Sequence, residues 1–177
     1  MNIFISNRAE HHAFFSAYLP AFFINSNQDN PSSYFSQDIR LHSCIWFFTE
    51  EDAYSWNVDH ALQFVDDIFS VANCDDCFSM LLVSMHREFS LPSYKSMSSF
   101  SHFSNVMATK KVRVNTLICS LIKEWENKNI EIIKAAPLGY VFAKDVINAI
   151  QFMLEPTNRW MSNSTLVVDA GKSISNI

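Results

Sequence analysis

The order of hydrophobic segments constrains the fold of this 177-residue chain more than any other feature of its sequence. Short runs rich in branched and aromatic residues, which are typical of buried strands, alternate with longer stretches whose apolar residues recur at helical spacing. We predict strands at residues 2–6, 21–24, 42–48, 78–83, 112–118 and 164–169, and helices at 9–19, 51–71 and 143–154. This alternation predicts an α/β fold in which helices flank a mainly parallel sheet.

The apolar content of the chain suits a single domain. Its residues are 49% hydrophobic and include sixteen Phe, which is sufficient for one sizeable core. Because no internal repeat and no linker divides the chain, we predict one domain over residues 1–177. Residues 25–40 are rich in Asn, Ser, Gln, Asp and Pro, which favour turns, and they predict a loop excursion.

Charge and cysteine usage exclude several classes of partner. The formal net charge of −5 argues against nucleic acid, because neutralising phosphates needs an excess of Lys and Arg. No apolar run approaches the roughly 20 residues of a membrane span, so we expect no membrane insertion. The four cysteines lie in or beside hydrophobic runs, and no segment resembles a secretion signal. A cytoplasmic protein is therefore expected.

Glycine is scarce, since Gly139 and Gly171 are the only two in the sequence. Sites that hold nucleotide phosphates use glycine where the ligand must touch bare backbone at the start of a helix. The composition therefore argues against a nucleotide site of the usual kind.

Four segments in the last third of the chain carry a family resemblance. They are VRVN at 112–115, PLG at 137–139, DVINAIQFML at 145–154 and TLVVDAG at 165–171. In this order they resemble the end of a short-chain dehydrogenase/reductase. The resemblance implies a Rossmann-like sheet, shortened between Phe23 and Leu41, and a fold that in this family holds NAD or NADP.

The phosphate loop of that family is altered throughout. Its pattern, Thr-Gly-x-x-x-Gly-x-Gly, corresponds to SNRAEHHA from Ser6 onward, and its three glycines become Asn7, His11 and Ala13. An imidazole at His11 would occupy the place of the pyrophosphate, so we expect no bound cofactor. Two interpretations of His11 and His12 are open: contacts to a metal or a phosphate, or first-turn histidines that face solvent and the edge of the core. We expect no metal site.

The cofactor cleft of the family is altered too. Its Asn-Asn-Ala-Gly corresponds approximately to WFFT at residues 46–49. Small residues leave room for a cofactor, whereas Trp46, Phe47 and Phe48 favour a cleft filled by the protein's own side chains. The alternative is a stacking platform for a ligand.

The catalytic set of the family survives only in part. The resemblance places its Asn at Asn57, its Ser at Ser84 and its Tyr at Tyr94, but Ser98 stands where the family has the Lys that lowers the pKa of the Tyr. Lys95 is adjacent to Tyr94, and neighbouring residues on a helix diverge by about 100°. We therefore expect these residues to be vestigial.

Two other motifs allow different chemistry. Tyr140 and Lys144 have the Tyr-x-x-x-Lys spacing, although assigning them as the catalytic pair would break the better match of residues 137–154. Cys74 and Cys77 form a Cys-x-x-Cys in an acidic stretch that predicts a turn. A redox or zinc role competes there with two small, partly buried thiols.

These observations favour a degenerate short-chain dehydrogenase/reductase-like protein that binds no NAD(P), catalyses nothing and acts as a binding or scaffolding subunit. The alternative is an NAD- or NADP-dependent oxidoreductase with an unconventional site, which would reduce a small carbonyl or pterin-like substrate. A third hypothesis is a sensor that binds a small ligand in the old cleft. Because the family commonly pairs through its last helices and strand, we expect a homodimer or a hetero-oligomer with a family member. Its expected anchors are Ile147, Ile150, Met153 and Trp160.

Overall fold

The sheet of the protein has six strands, in a computed structural model that describes residues 1–7, 9–19, 21–25, 40–86, 94–125 and 136–173. The strands are β1 (Asn2–Ser6), β2 (Phe22–Asn25), β3 (Arg40–Thr49), β4 (Asn73–His86), β5 (Arg113–Ser120) and β6 (Thr165–Val168). They lie in the order β2-β1-β3-β4-β5-β6, and every neighbouring pair is parallel. The predicted α/β class and parallel sheet are confirmed.

Five helices lie in the described part of the chain. They are α1 (Ala9–Ser16), α2 (Glu50–Ser55), α3 (Val58–Val71), α4 (Tyr94–Thr109) and α5 (Ala143–Leu154), with 3-10 turns at Lys123–Trp125 and Pro156–Asn158. The helix predicted at 143–154 has the predicted bounds. None of these helices is long and apolar enough to cross a membrane.

The central strands are covered on both faces, as is usual for parallel sheets. Alternate residues of β3 show this: Trp46 and Phe48 pack with α2, α3 and α4 on one face, whereas Ile45 and Phe47 pack with α1 and α5 on the other. Because successive side chains of a strand point to opposite faces, the apolar run of β3 supplies both cores at once.

Three predicted elements differ from the structure. The helix predicted at 51–71 is two helices, because the extended backbone of Trp56 ends α2 and Asn57 caps a new helix. The turn predicted at 74–77 belongs to β4, which reaches back to Asn73 and pairs with the start of β3 across a register shift. The Ser-rich stretch at 90–104 contains most of α4, because Phe100 and Phe103 are spaced to bury one helix face. Of the predicted loop at 25–40, residues 26–39 lie outside the described residues.

Three of the expected interface anchors are wrong. Ile147, Ile150 and Met153 are 5%, 0% and 1% exposed, because they form the face of α5 that packs on the sheet. Trp160, the fourth, is 83% exposed. Two further exposed apolar side chains lie nearby in the sequence, Phe152 and Val167.

Both glycines stand in turns near the end of the chain. Gly139 has φ 98° and Gly171 has φ 81°, a left-handed conformation that suits glycine. The two glycines of the protein are thus used for chain reversal, far along the sequence from β1.

Asn115, on β5, fixes the connection that leads into β6. Its side chain is buried, donates to the Met161 carbonyl at 3.1 Å and accepts from the Ser164 amide at 3.0 Å. Asn115→Ala leaves both backbone groups without this partner and is expected to lower the free energy of unfolding by about 1–3 kcal/mol. Chemical denaturation measures the loss. Asn148→Ala, at an exposed position of α5, is the control, and equal losses in both variants would contradict the role of Asn115.

Candidate functional site

The sheet order brings the predicted site residues to the carboxyl ends of β1 and β3. The chain leaves β1 for the outer strand β2 and then returns to β3 on the other side of β1. In open α/β sheets, ligands bind beyond the carboxyl ends of the strands at such a reversal. Ser6 ends β1, Asn7 follows it, and residues 46–49 end β3.

His11 fills the space that follows β1. Its Nδ1 is hydrogen-bonded to Ser6 Oγ at 2.7 Å, and both residues are buried. Its ring meets Phe47 edge-on, with 4.9 Å between the centroids, and Phe4 and Phe15 pack around the same Phe47 ring. His11 is therefore buried in the core, which agrees with the second interpretation in so far as that placed a histidine at the edge of the core.

The other two substituted glycine positions have different surroundings. Ala13 is exposed on α1. Asn7 turns toward α2, where its Nδ2 donates to Asp52 Oδ1 at 2.5 Å. The side chain of His12 lies outside the described residues.

Among the residues that the structure describes, no three His, Cys, Asp or Glu side chains lie close enough together to hold a metal ion.

Aromatic side chains fill the other face at the end of β3. Trp46 and Phe48 are 4% and 3% exposed, and their rings stack with 5.6 Å between centroids. Trp56, from the break between α2 and α3, meets both rings edge-on at 5.9 and 5.4 Å. This packing agrees with the prediction that the protein's own side chains occupy this part of the cleft.

A cavity of about 230 Å³ nevertheless stays open beside these rings. It is lined by Asn7, Trp46, Phe47, Phe48, Asp52, Ser55, Trp56, Asn57 and His60. Sequence reasoning missed Asp52, Trp56 and His60, because their proximity depends on the break between α2 and α3. That break has one sequence signal, Asn57, which is a favoured residue for starting a helix.

Asp52 is held rigidly at the wall of this cavity. Its Oδ2 accepts from the Thr49 amide at 3.0 Å and from Thr49 Oγ1 at 2.6 Å, and its own amide donates to Thr49 Oγ1. This reciprocal pair begins α2. Since Oδ1 accepts from Asn7, both carboxylate oxygens already have hydrogen-bond partners.

Two of the three residues matched to the catalytic set, Asn57 and Ser84, have hydrogen-bond partners within the fold. Asn57 Oδ1 accepts from the His60 amide at 2.9 Å and caps α3. Ser84 is 0% exposed on β4, where its Oγ is hydrogen-bonded to His86 Nε2 at 2.9 Å. Tyr94 begins α4, but its side chain and that of Lys95 lie outside the described residues. Sequence reasoning missed His86, whose only signal is its place at the end of the hydrophobic run of β4.

The two competing motifs lie at different places in the fold. Tyr140 precedes α5, whereas Lys144 lies inside it, and the Tyr140 ring instead contacts Lys123 Nζ, 4.1 Å from the ring centroid. Cys74 lies on β4, where burial raises the pKa of its thiol to about 11. A thiol with that pKa is a weak nucleophile at neutral pH. The side chain of Cys77 lies outside the described residues.

A second cavity, of about 640 Å³, lies at the opposite edge of the sheet. His42 and Asp75 form part of its wall, and Asp75 is hydrogen-bonded to His42 and Arg40 at 2.8 Å each. These contacts, that of His42 foremost, lower the pKa of Asp75. The cavity lies at the amino-terminal ends of β1 and β3, which is not where open α/β sheets bind their ligands.

Comparison with solved structures identifies this arrangement. A short-chain dehydrogenase/reductase from Serratia marcescens BCRC 10948 aligns with a TM-score of 0.61 at 11% identity, over 97% of this chain and 86% of that one. A mutant 4-hydroxyisoleucine dehydrogenase in complex with NADH and succinate aligns with a TM-score of 0.52 at 10% identity, over 96% and 87%. The fold is that of the short-chain dehydrogenase/reductases.

A third structure covers less of each chain. The promiscuous reductase LugOII, which catalyses keto-reduction at C1 during lugdunomycin biosynthesis, aligns with a TM-score of 0.50 at 13% identity, over 73% of this chain. The chain spans 64% of that reductase, less than two thirds of its length. No protein-family model matches the sequence, and no curated protein matches it significantly. At identities of 10–13%, the likeness extends to the fold alone.

The place of His11 in the core has a measurable consequence. His11→Ala removes the ring that packs on Phe47 and leaves the buried Ser6 hydroxyl without this partner, so we expect the free energy of unfolding to fall by roughly 1–3 kcal/mol. Urea denaturation followed by tryptophan fluorescence measures it. His102→Ala, at an exposed position of α4, is the matched control. An unfolding free energy unchanged in His11→Ala would show that the ring is not part of the core.

Proposed function

We propose that this protein is a non-catalytic binding or scaffolding subunit that keeps the short-chain dehydrogenase/reductase fold without its NAD(P) site. The observation that carries the proposal is the buried contact of His11 with Ser6 and Phe47, at the position of the family's phosphate loop. A pyrophosphate there would need backbone amides at the start of a helix, with no side chain in the way. To admit it, the His11 ring would have to leave the core.

The residues matched to the catalytic set support the same proposal. Ser84 is fully buried and hydrogen-bonded to His86, so in this arrangement it does not reach a substrate. Asn57 already accepts the hydrogen bond that begins α3. General acid–base catalysis needs its groups within hydrogen-bond reach of the reacting atoms, which the buried Ser84 does not offer.

Exposed apolar side chains near the end of the chain support the role as a subunit. They are Phe152, Trp160 and Val167, which are 52%, 83% and 43% exposed. They lie on α5, after it, and on the edge strand β6. Exposed aromatic side chains beside an edge strand are typical of surfaces that pair with another subunit. The proposed partner is a second copy or a family member.

Cofactor titration tests the loss of the NAD(P) site. A ligand that binds only the folded protein stabilises it by about 2.7 kcal/mol at a hundredfold excess over its Kd. We expect millimolar NADH or NADPH to leave the unfolding temperature of this protein unchanged. The 4-hydroxyisoleucine dehydrogenase, solved with NADH, is the positive control. A saturable rise in the unfolding temperature would contradict the proposal and favour the oxidoreductase alternative.

Light scattering tests the proposed pairing. We expect a mass about twice the 20.4 kDa of the chain, and a shift to the monomer in Trp160→Lys, because a buried charge would oppose association. Leu138→Lys, at another exposed apolar position, should keep the wild-type mass. A monomer at tens of micromolar, with no family member bound to it in cells, would refute the proposed pairing.

A further inference from the structure

The cavity of about 230 Å³ beside α2 has a negatively charged wall. Of the Asp, Glu, Lys and Arg residues that the structure describes, only Asp52 lines it. The Asp52 carboxylate accepts from neutral groups, Asn7 Nδ2 at one oxygen and the amide and hydroxyl of Thr49 at the other. These bonds hold the carboxylate in place without adding a positive charge. A recess lined by charge of one sign attracts ligands of the opposite sign.

Trp56 lies beside Asp52 at the same cavity. Asp52 is in the first turn of α2 and Trp56 caps its end, and residues four apart lie on one side of a helix. Both residues line the cavity, and both are only partly buried. Among side-chain rings, that of tryptophan attracts a cation most strongly. A cation in the cavity therefore meets a carboxylate and an aromatic ring together.

We propose that this cavity binds a small quaternary ammonium ion. Asp52 attracts the positive charge, and the Trp56 ring packs against the methyl groups that carry part of it. Aromatic rings are the usual partners of quaternary ammonium ligands. This inference goes beyond the scaffolding role and does not rest on it.

The hydrogen bonds of Asp52 favour a quaternary ammonium over a primary one. A carboxylate offers about four acceptor positions, and Asn7 and Thr49 already occupy three of those of Asp52. A primary ammonium carries three N–H donors, which lose their bonds to water on entering and need new acceptors. A quaternary ammonium has no N–H donor. It needs the charge of Asp52 but no further hydrogen bond.

The size and the mouth of the cavity suit a small ligand. Sites for drug-sized ligands occupy about 300–1,000 Å³, and this cavity is smaller than that range. Ser55, Asn57 and His60 belong to its wall and are exposed, so the cavity opens to solvent. A small cation can therefore enter without displacing an element of the fold.

Choline is the probe for this proposal. Its matched control is 3,3-dimethylbutan-1-ol, which has the same shape with a neutral carbon in place of the nitrogen. The measurement is the indole N–H spectrum of the ¹⁵N-labelled full chain, in which each of the four Trp gives one signal. We expect choline to move the Trp56 signal saturably and to leave that of Trp160 in place. The neutral alcohol is expected to bind about tenfold more weakly, because it lacks the charge.

Two variants separate the charge of the cavity wall from the net charge of the protein. Asp52→Asn keeps an oxygen that can accept from the Thr49 amide but removes the charge, and we expect choline affinity to fall about five- to tenfold. Asp59→Asn, at an exposed position of α3 outside the wall, changes the net charge equally and should bind as the wild type does. If Asp52→Asn does not fold, the comparison of choline with the neutral alcohol on the wild-type protein decides.

A trimethylammonium group can come from a free small molecule or from a lipid headgroup. Cosedimentation of the full chain with phosphatidylcholine vesicles distinguishes these sources. Retention on the vesicles that choline competes away would support a lipid headgroup as the ligand. Saturable choline binding without retention would support a free small molecule.

Three results would overturn the proposal. They are no saturable shift of the Trp56 signal with choline, equal affinity for the neutral alcohol, and unchanged choline affinity in Asp52→Asn. The first would mean that the cavity does not take the cation, and the other two would mean that the charge of Asp52 does not select the ligand.

Discussion

The burial of the central strands on both faces is the constraint on which the rest of the structure depends. Each residue of β3 must pack against one helical layer or the other, so Trp46 and Phe48 enter one core and Phe47 enters the opposite core. The three aromatic residues at the end of β3 therefore occupy both faces of the sheet at the carboxyl ends of the strands, where ligands of this fold class are expected. His11 packs on Phe47, and Trp56 packs on Trp46 and Phe48.

The residues that stand in place of the phosphate-loop glycines change the space at the carboxyl end of β1. In the family that the fold resembles, a bare backbone turn after β1 leaves space for phosphate, whereas here His11 and Ser6 form a buried hydrogen bond. Under the proposed function, these residues contribute to the core at the expense of the place for a pyrophosphate. What stays open is a small cavity beside α2 and α3, lined by Asp52 and by the aromatic rings of Trp46, Phe48 and Trp56.

The sequence predicts the features that depend on residues close together in the chain. It does not predict those that depend on contacts between residues far apart in the chain. The pattern of α5, with Asp145 in its first turn and Pro156 beyond its end, gives its bounds from local rules. The Ser-rich sequence of α4 does not indicate a helix, because serine has low helix propensity. This helix is stabilised instead by the tertiary packing of Phe103. The fold class and the burial of residues 46–48 follow from patterns. The Ser84–His86 contact and the pairing of Asn7 with Asp52, residues far apart in the chain, require the folded geometry.

A crystal structure of the protein grown with saturating NADH tests the central claim most directly. The account predicts that the Ser6–His11 hydrogen bond is retained, that the His11 ring still packs on Phe47, and that no pyrophosphate density lies against residues 6–13. An ordered dinucleotide against those residues, with His11 moved out of the core, would contradict it.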